Sequence, residues 1–253
     1  AQTVTDARAV GIENINLDFM LGIPHQTPET LSDTLARALA LKPTHLSAYT
    51  LMLEEGTPFA RRGRASLGLP ADEEEADDAA VTLWEQACAT LRKAGYEHYE
   101  ISNFAKIGFR SRHNLHTWQC RDYLGLGVAA HSFFRGNRFA FIRHMDRYMN
   151  GLEMPGAAIR LTEQSDTVSP RERLGEYIML RFRLREGLNC RDFARLFGFS
   201  FEDLYGKKMA PYVKNGFSTC KNGVYALTPK GMFVSNYILS DILEFEDLGQ
   251  LDI

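Results

Sequence analysis

The residues best suited to chemistry lie between positions 96 and 133 of the 253-residue chain. This stretch contains four of the seven histidines, together with several tyrosines and a tryptophan. The four are His98, His113, His116 and His131. Aromatic faces beside a few polar groups suit a pocket for a large, flat, partly apolar ligand. The alternative is that the aromatic rings belong to the core and the histidines are hydrogen-bonded polar residues.

Within this stretch, the segment HNLHTW at residues 113–118 combines two imidazoles, a carboxamide and an indole. The spacing of His113 and His116 could place both on one helical face as metal ligands, but no third ligand at motif spacing accompanies them. An axial bond to haem iron needs one imidazole with aromatic walls. The segment therefore fits haem better than zinc.

A second candidate is Asp18, which lies in the predicted strand NINLDFM with Asn16 as its neighbour at period two. In a β/α barrel such side chains point inward, near the mouth where active sites form. The alternative is a hydrogen-bonded interior carboxylate with a structural role.

Composition restricts the class of protein. A net charge of −3 with 24% charged residues predicts an ordinary surface with no global attraction to nucleic acid or anionic membrane. No apolar run is long enough to span a bilayer, and the first ten residues do not resemble a secretory signal. The four cysteines, at 88, 120, 190 and 220, show no metal-ligand or disulfide spacing. We expect a reducing, cytoplasmic location and no structural metal.

Hydrophobic patterning and turn signals predict the elements that position these residues. Up to about residue 105 the order is α-β-α-β-α-β, which indicates parallel β/α units. Three parallel strands alone leave two open edges. We therefore predict an α/β fold in which residues 1–155 form the later part of a larger parallel β/α, partial TIM-like barrel.

Beyond about residue 160 the pattern changes to helices and one hairpin. Three helices, two strands around Asn222-Gly223 and a final helix to about Phe245 predict a winged-helix-like domain over residues 156–253. A DNA-binding module is one alternative, but it requires a basic recognition helix. The helix starting near residue 201 instead begins with Glu202 and Asp203.

With these segments in view, the chain resembles the radical-SAM family of oxygen-independent coproporphyrinogen III oxidase-like proteins, and most closely its HemW-type haem chaperones. The matching segments are NLDFMLGIPHQTPETL, HLSAYTLMLEEGTP, GYEHYEISNFAK, SRHNLHTW, DYLGLGVAAHS and EYIMLRFRLREGL. The resemblance implies a radical-SAM barrel, a 4Fe-4S cluster and S-adenosylmethionine. The family's CxxxCxxC cluster motif is absent from this sequence. We therefore expect a C-terminal fragment that is inactive alone and binds no cluster.

The resemblance also assigns residues. Asp18, Met52 and His131 match positions of the S-adenosylmethionine pocket. His113, Asn114 and Trp118 match the HN-x-x-Y-W motif used in haem binding, with His113 as the candidate ligand of the iron. Thr117 replaces the tyrosine of that motif.

The function that the resemblance implies is binding of haem and its transfer to haem-acceptor proteins. The alternative within the family is an oxygen-independent coproporphyrinogen III dehydrogenase, which converts propionates of a porphyrinogen to vinyls by oxidative decarboxylation. We expect no nucleic-acid partner and no membrane span, and a homodimer is left open.

Overall fold

A computed structural model describes residues 1–70, 73–156 and 160–243 of the chain. The α-helices of these residues are α1 (Gln2–Ala9), α2 (Pro28–Ala40), α3 (Glu73–Lys93), α4 (Arg112–Trp118), α5 (Met145–Leu152), α6 (Pro170–Phe182), α7 (Cys190–Phe197), α8 (Phe201–Lys214), α9 (Pro229–Phe233) and α10 (Ser235–Ile242). The strands are β1 (Asn16–Leu21), β2 (His45–Thr50), β3 (Glu97–His98), β4 (Asn103–Ala105), β5 (His131–Phe134), β6 (Asn137–Phe141), β7 (Thr162–Thr167), β8 (Leu188–Asn189), β9 (Ser218–Lys221) and β10 (Val224–Leu227).

The first sheet has the strand order β1-β2-β4-β3. β1 and β2 are parallel, as predicted, and Asn16 pairs with His45. The third predicted strand is divided into two: β4 runs antiparallel to both β2 and β3, so β3 has the direction of β1 and β2, as predicted, but does not pair with β2. The chain reverses after His98 and inserts β4 between β2 and β3, where Phe104 is fully buried. The described residues form a mixed α/β sheet and do not close a barrel.

Helices α2 and α3 cover the apolar face of this sheet. Thr27 caps α2 through a reciprocal capping box with Thr30, and Pro28 occupies the first turn. Leu31 and Leu35 of α2 pack with Leu83 and other apolar residues of α3 in one buried cluster. The predicted acidic start of α3 includes Asp72, which lies outside the described residues. Because the helices cover only one face, the opposite face of β1 and β2 is left for polar side chains.

A second sheet, β5-β6-β7, is antiparallel throughout and was not predicted. Its first hairpin turns at Arg135-Gly136, where both residues have positive φ angles of 50° and 77°. That geometry is typical of a two-residue hairpin, but Arg is not a residue that signals it in a sequence. β7 pairs with β6 across the domain boundary proposed at residues 155 and 156.

The C-terminal module contains α6 to α10 and a three-stranded antiparallel sheet, β8-β10-β9. The hairpin predicted at Asn222-Gly223 is confirmed, and both turn residues have positive φ. The predicted single final helix is instead two helices, which meet at Val234. The remainder of the predicted helix, 244–245, lies outside the described residues. No helix of the described residues is both long and apolar enough to cross a membrane.

Two backbone contacts join this module to the first sheet. The Arg185 N–H donates to the Tyr99 carbonyl oxygen at 3.1 Å, and Glu100 forms an isolated β-bridge with Leu184. The Trp84 indole N–H of α3 also donates to the Pro229 carbonyl oxygen at 3.4 Å. The module is therefore attached both at the chain reversal between β3 and β4 and along α3.

We predict that Gly187→Ala destabilises the protein more than Gly216→Ala. Both glycines have positive φ, 71° and 76°, so alanine is strained at either position. A Cβ at Gly187 would in addition collide with the Tyr225 carbonyl oxygen, whereas a Cβ at Gly216 meets no atom within 4 Å. We expect the free energy of unfolding, measured with urea, to fall by about 1 kcal/mol in Gly216→Ala and by at least about 2 kcal/mol in Gly187→Ala. Equal losses would show that the close approach of β10 is unimportant.

Candidate functional site

A polar groove of about 840 Å³ lies on the face of the first sheet that α2 and α3 leave uncovered. Its walls come from β1, β2 and β4, the loop before α4, and the first turn of α4. The lining residues are Asn14, Asn16, Asp18, His45, Ser47, Tyr49, Asn103, Gly108, Phe109, Arg110, Ser111, Arg112, His113 and Asn114. Three of the residues singled out in the sequence, Asp18, His113 and Asn114, are thus brought together.

Strand geometry explains the polar floor of this groove. Side chains two residues apart share one face of a strand, so Asn16 and Asp18 of β1 lie on one side. The parallel register places His45 opposite Asn16 and Ser47 opposite Asp18. The β2 residues of the groove were not predicted from the sequence. The alternation of His45, Ser47 and Tyr49 was the signal that could have identified them.

The floor and α4 are linked by a continuous chain of hydrogen bonds, and its direction follows from the groups involved. The Asp18 carboxylate only accepts, so the Asn16 amide N–H donates to Asp18 Oδ1 at 2.6 Å. Asn16 Oδ1 then faces His45 Nδ1 at 2.6 Å, which places the imidazole proton on Nδ1. His45 Nε2 is left as an acceptor for the Tyr99 hydroxyl at 2.8 Å.

The chain ends on the backbone, where the Ser111 N–H donates to the Tyr99 hydroxyl oxygen at 3.2 Å. Burial lowers the pKa of His45, although the nearby Asp18 charge opposes this, so the ring is neutral and can accept at Nε2. Burial raises the pKa of Tyr99 to about 12, so its hydroxyl keeps the proton that it donates. The charge states of both side chains therefore agree with the donor and acceptor roles in this series of hydrogen bonds.

This chain of hydrogen bonds positions the residues of α4. Ser111 is its N-cap, and the Ser111 hydroxyl accepts from the Asn114 N–H at 3.3 Å. His113 and Asn114 in the first turn consequently lie at the groove. Two half-exposed aromatic rings, Tyr49 and Phe109, also line the groove and offer apolar faces beside the imidazole.

The structure places the other predicted residues elsewhere. Trp118 follows His113 by five residues, which turns it about 140° around the helix. It lies partly buried with the Arg183 guanidinium 5.2 Å above its ring, outside the groove lining. Met52 is 70% exposed beyond the end of β2. His131 is the exposed first residue of β5. The assignments of these three residues remain predictions from the resemblance.

Two further histidines of the 96–133 stretch have structural contacts. The buried His98 ring stacks on Phe104 with centroids 4.3 Å apart, and burial lowers its pKa to about 4. His116 Nε2 lies 2.8 Å from the Asp122 carbonyl oxygen, so the ring donates there and fixes the loop after α4. For these two histidines, the interpretation as hydrogen-bonded or packed polar residues is the better one.

The cysteines do not fit an iron–sulfur cluster, which needs three or four converging thiolates. Cys88 lies on the buried side of α3, whereas Cys120, Cys190 and Cys220 lie in other segments of the chain. Burial raises the pKa of Cys88 to about 12 and those of Cys120 and Cys190 to about 11. Within the described ranges, no group of three or more His, Cys, Asp and Glu side chains could hold a metal ion.

Comparisons with known proteins agree with this architecture. A family model described as the HemN C-terminal domain matches residues 168–234, within the C-terminal module. Heme chaperone HemW of Bacillus subtilis is 32% identical over 240 residues, which cover 94% of this chain and 61% of the relative. Heme chaperone HemW of Escherichia coli is 32% identical over 238 residues, which cover 92% of this chain and 58% of the relative.

A solved structure of coproporphyrinogen III oxidase (HemN) from Escherichia coli, described as a radical SAM enzyme, has a TM-score of 0.74 at 19% identity. The match covers 95% of this chain and 57% of that protein, so the fold is of the HemN type. Together with the sequence matches, this shows that the chain is similar to HemW and HemN proteins over most of its length. It spans about three fifths of the length of the curated relatives it matches.

We predict that Tyr99→Phe loosens the start of α4. The substitution leaves the Ser111 N–H and His45 Nε2 without their partner, which costs about 1–3 kcal/mol of stability. Tyr96→Phe is the matched control, because the buried Tyr96 hydroxyl donates only to the Pro43 carbonyl oxygen. Hydrogen exchange of the Ser111 amide should accelerate in Tyr99→Phe and not in Tyr96→Phe. Unchanged exchange in both would contradict the link between the sheet and α4.

A second prediction concerns His98 and acid stability. The folded state holds His98 neutral with a pKa of about 4, whereas the unfolded chain protonates it near its ordinary value of 6.5. Protons therefore bind preferentially to the unfolded state as the pH falls from 6.5 to 4, and stability falls. His98→Phe keeps the stack on Phe104 but cannot be protonated. Between pH 7 and pH 4.5, its free energy of unfolding should fall by about 2 kcal/mol less than that of the wild type. Equal losses in urea titrations at the two pH values would refute this contribution.

Proposed function

We propose that this protein is a haem chaperone, which binds haem at the polar groove and transfers it to acceptor proteins. The observation that carries the proposal is the position of His113, an exposed imidazole at a groove that Tyr49 and Phe109 also line. Axial coordination by one imidazole between aromatic walls is a common way to bind haem. The names of the HemW relatives support the same function.

The hydrogen-bonding state of His113 supports its role as the iron ligand. Its side chain is exposed, and among the described residues no hydrogen-bond partner is found for its ring. His116, one turn later, has a ring nitrogen committed to the Asp122 carbonyl oxygen. His113 can therefore bind iron without breaking an internal contact.

Cations near His113 fit the two carboxylates of haem. Arg112 is exposed at the groove. Arg110 also lines it but is already paired with Glu97 and Glu186, at 3.1 and 2.8 Å. An exposed guanidinium forms favourable bidentate bonds with carboxylates. Arg112 is the better candidate for a propionate contact, because it does not have to leave an ion pair. Trp118 is proposed as a haem residue on the family motif alone.

We further propose that S-adenosylmethionine and a 4Fe-4S cluster serve the whole protein. The Asp18 carboxylate is exposed in the groove and can accept hydrogen bonds from the hydroxyl or ammonium groups of S-adenosylmethionine. Met52 and His131 lie outside the groove lining, so their part in this pocket rests on the resemblance. The free cysteines of the described residues agree with a reducing cytoplasmic location.

A second candidate function is oxygen-independent oxidation of coproporphyrinogen III. The observation that favours this function is the similarity of the fold to that of coproporphyrinogen III oxidase. Anaerobic incubation of the cluster-loaded whole protein with S-adenosylmethionine and coproporphyrinogen III distinguishes the two functions. Formation of vinyl products would favour the dehydrogenase, whereas transfer of bound haem to an apo-haem protein without such products would favour the chaperone.

We predict that His113→Ala weakens haem binding by at least about tenfold and shifts the Soret band, because the axial bond and its ligand field are lost. Haem titration of the purified protein, followed by absorbance, measures both effects. His116→Ala is the matched control and should retain the wild-type spectrum. If both variants bind haem with wild-type affinity and spectrum, His113 is not the ligand and the proposal that haem binds at this groove is lost.

A further inference from the structure

A second cavity, of about 450 Å³, lies at the other end of α4, between this helix, the β5-β6 hairpin and helices α6 and α7. Its lining residues are Thr117, Gln119, Cys120, Arg121, Tyr123, Phe133, Arg138, Arg173, Glu176, Tyr177, Met179, Leu180, Leu196 and Phe197. None of them lines the polar groove. We call this cavity the arginine pocket. Its size is within the range of small-molecule sites in proteins.

The walls of the arginine pocket are apolar and largely aromatic. Phe133, Tyr177 and Phe197 contribute rings, and Tyr177 and Phe197 contact each other edge to face with centroids 5.4 Å apart. Leu196 is 50% exposed in the wall, so an apolar surface faces solvent here rather than the core. Thr117 also lines the pocket, and its small side chain adds little bulk to the wall. An apolar ligand body would cover these faces.

The charged groups of the lining are three guanidinium groups and one carboxylate. Arg138 is paired with Glu176 at 2.6 Å, so these two charges compensate each other. Arg121 and Arg173 are exposed, and in the described part of the chain neither guanidinium has an ion-pair or hydrogen-bond partner. The pocket therefore presents two uncompensated positive charges beside an apolar wall. Such an arrangement complements an anion attached to an apolar body.

The Cys120 thiol does not supply a competing chemistry. It is partly buried against the same core cluster as Tyr177, and burial raises its pKa to about 11. A thiol that remains protonated is a weak nucleophile and a poor metal ligand. The pocket is thus built to bind rather than to react.

We propose that the arginine pocket is a binding site for an apolar carboxylate, with the carboxylate on Arg121 and Arg173 and the apolar body against Phe133, Tyr177 and Phe197. The aromatic walls favour a flat ring system, and an acyl chain is the other source of the same chemistry. The site does not depend on haem binding at the polar groove, because the two cavities share no residue.

The test is calorimetric titration of the purified protein with dodecanoate and with the uncharged dodecanol, and fluorescence titration with protoporphyrin IX. Arg173→Gln should weaken binding of the carboxylate by about five- to tenfold, through loss of one charge-assisted contact. The same variant should leave dodecanol binding unchanged. Leu196→Glu should abolish carboxylate binding, because it places a negative charge in the wall that repels the negatively charged ligand. Arg37→Gln is the matched control, because Arg37 is exposed on α2 and absent from the lining.

Saturable binding of dodecanoate that follows this pattern would support the site and identify an acyl ligand. The same pattern with protoporphyrin IX would support it and identify a ring system. The proposal is overturned if neither ligand binds saturably, or if Arg173→Gln behaves like Arg37→Gln. Porphyrin binding insensitive to both pocket variants, without dodecanoate binding, would assign the porphyrin to another site and also overturn the proposal.

Discussion

The site depends on one neutral imidazole that joins two parts of the fold. His45 donates from Nδ1 to Asn16 and accepts at Nε2 from Tyr99, so it connects the β1 face to the backbone at the start of α4. A protonated ring would present a donor to the Tyr99 hydroxyl and reverse this one hydrogen bond, whereas the Ser111 N–H can only donate. Burial keeps the ring neutral. The position of His113 relative to Asp18 therefore follows from the protonation state of a residue that need not touch any ligand.

The turn between β3 and β4 contacts both the first sheet and the C-terminal module, through the consecutive residues Tyr99 and Glu100. Tyr99 directs its hydroxyl toward His45, while its carbonyl oxygen accepts from Arg185 of the C-terminal module. Glu100 is completely buried and bridges to Leu184, and burial raises the pKa of its carboxyl. A displacement of the module would thus act on the same turn that orients α4.

Much of this arrangement follows from local sequence, and the rest from tertiary pairing. The capping boxes at Thr27 and Ser169 and the Asn222-Gly223 turn each act within a few positions, and the turn was predicted correctly. The antiparallel β4 could not be predicted, because a three-residue strand has no period that reveals its direction. The resemblance singled out Asp18 and His113 as candidates, whereas His45 and Tyr99 lie 54 residues apart in the sequence, and only the fold brings them together.

Helix α4 separates two chemically different cavities, and helical geometry explains how one short motif contributes to both. His113 and Asn114 in the first turn line the polar groove, whereas Thr117 near the C-terminal end lines the arginine pocket. Trp118 contributes to neither lining and packs under Arg183. A tyrosine at position 117, as in the family motif, would project into the arginine pocket rather than the groove. A substitution at position 117 would therefore alter the arginine pocket and leave the hydrogen-bond chain to Asp18 intact, because Thr117 takes no part in that chain.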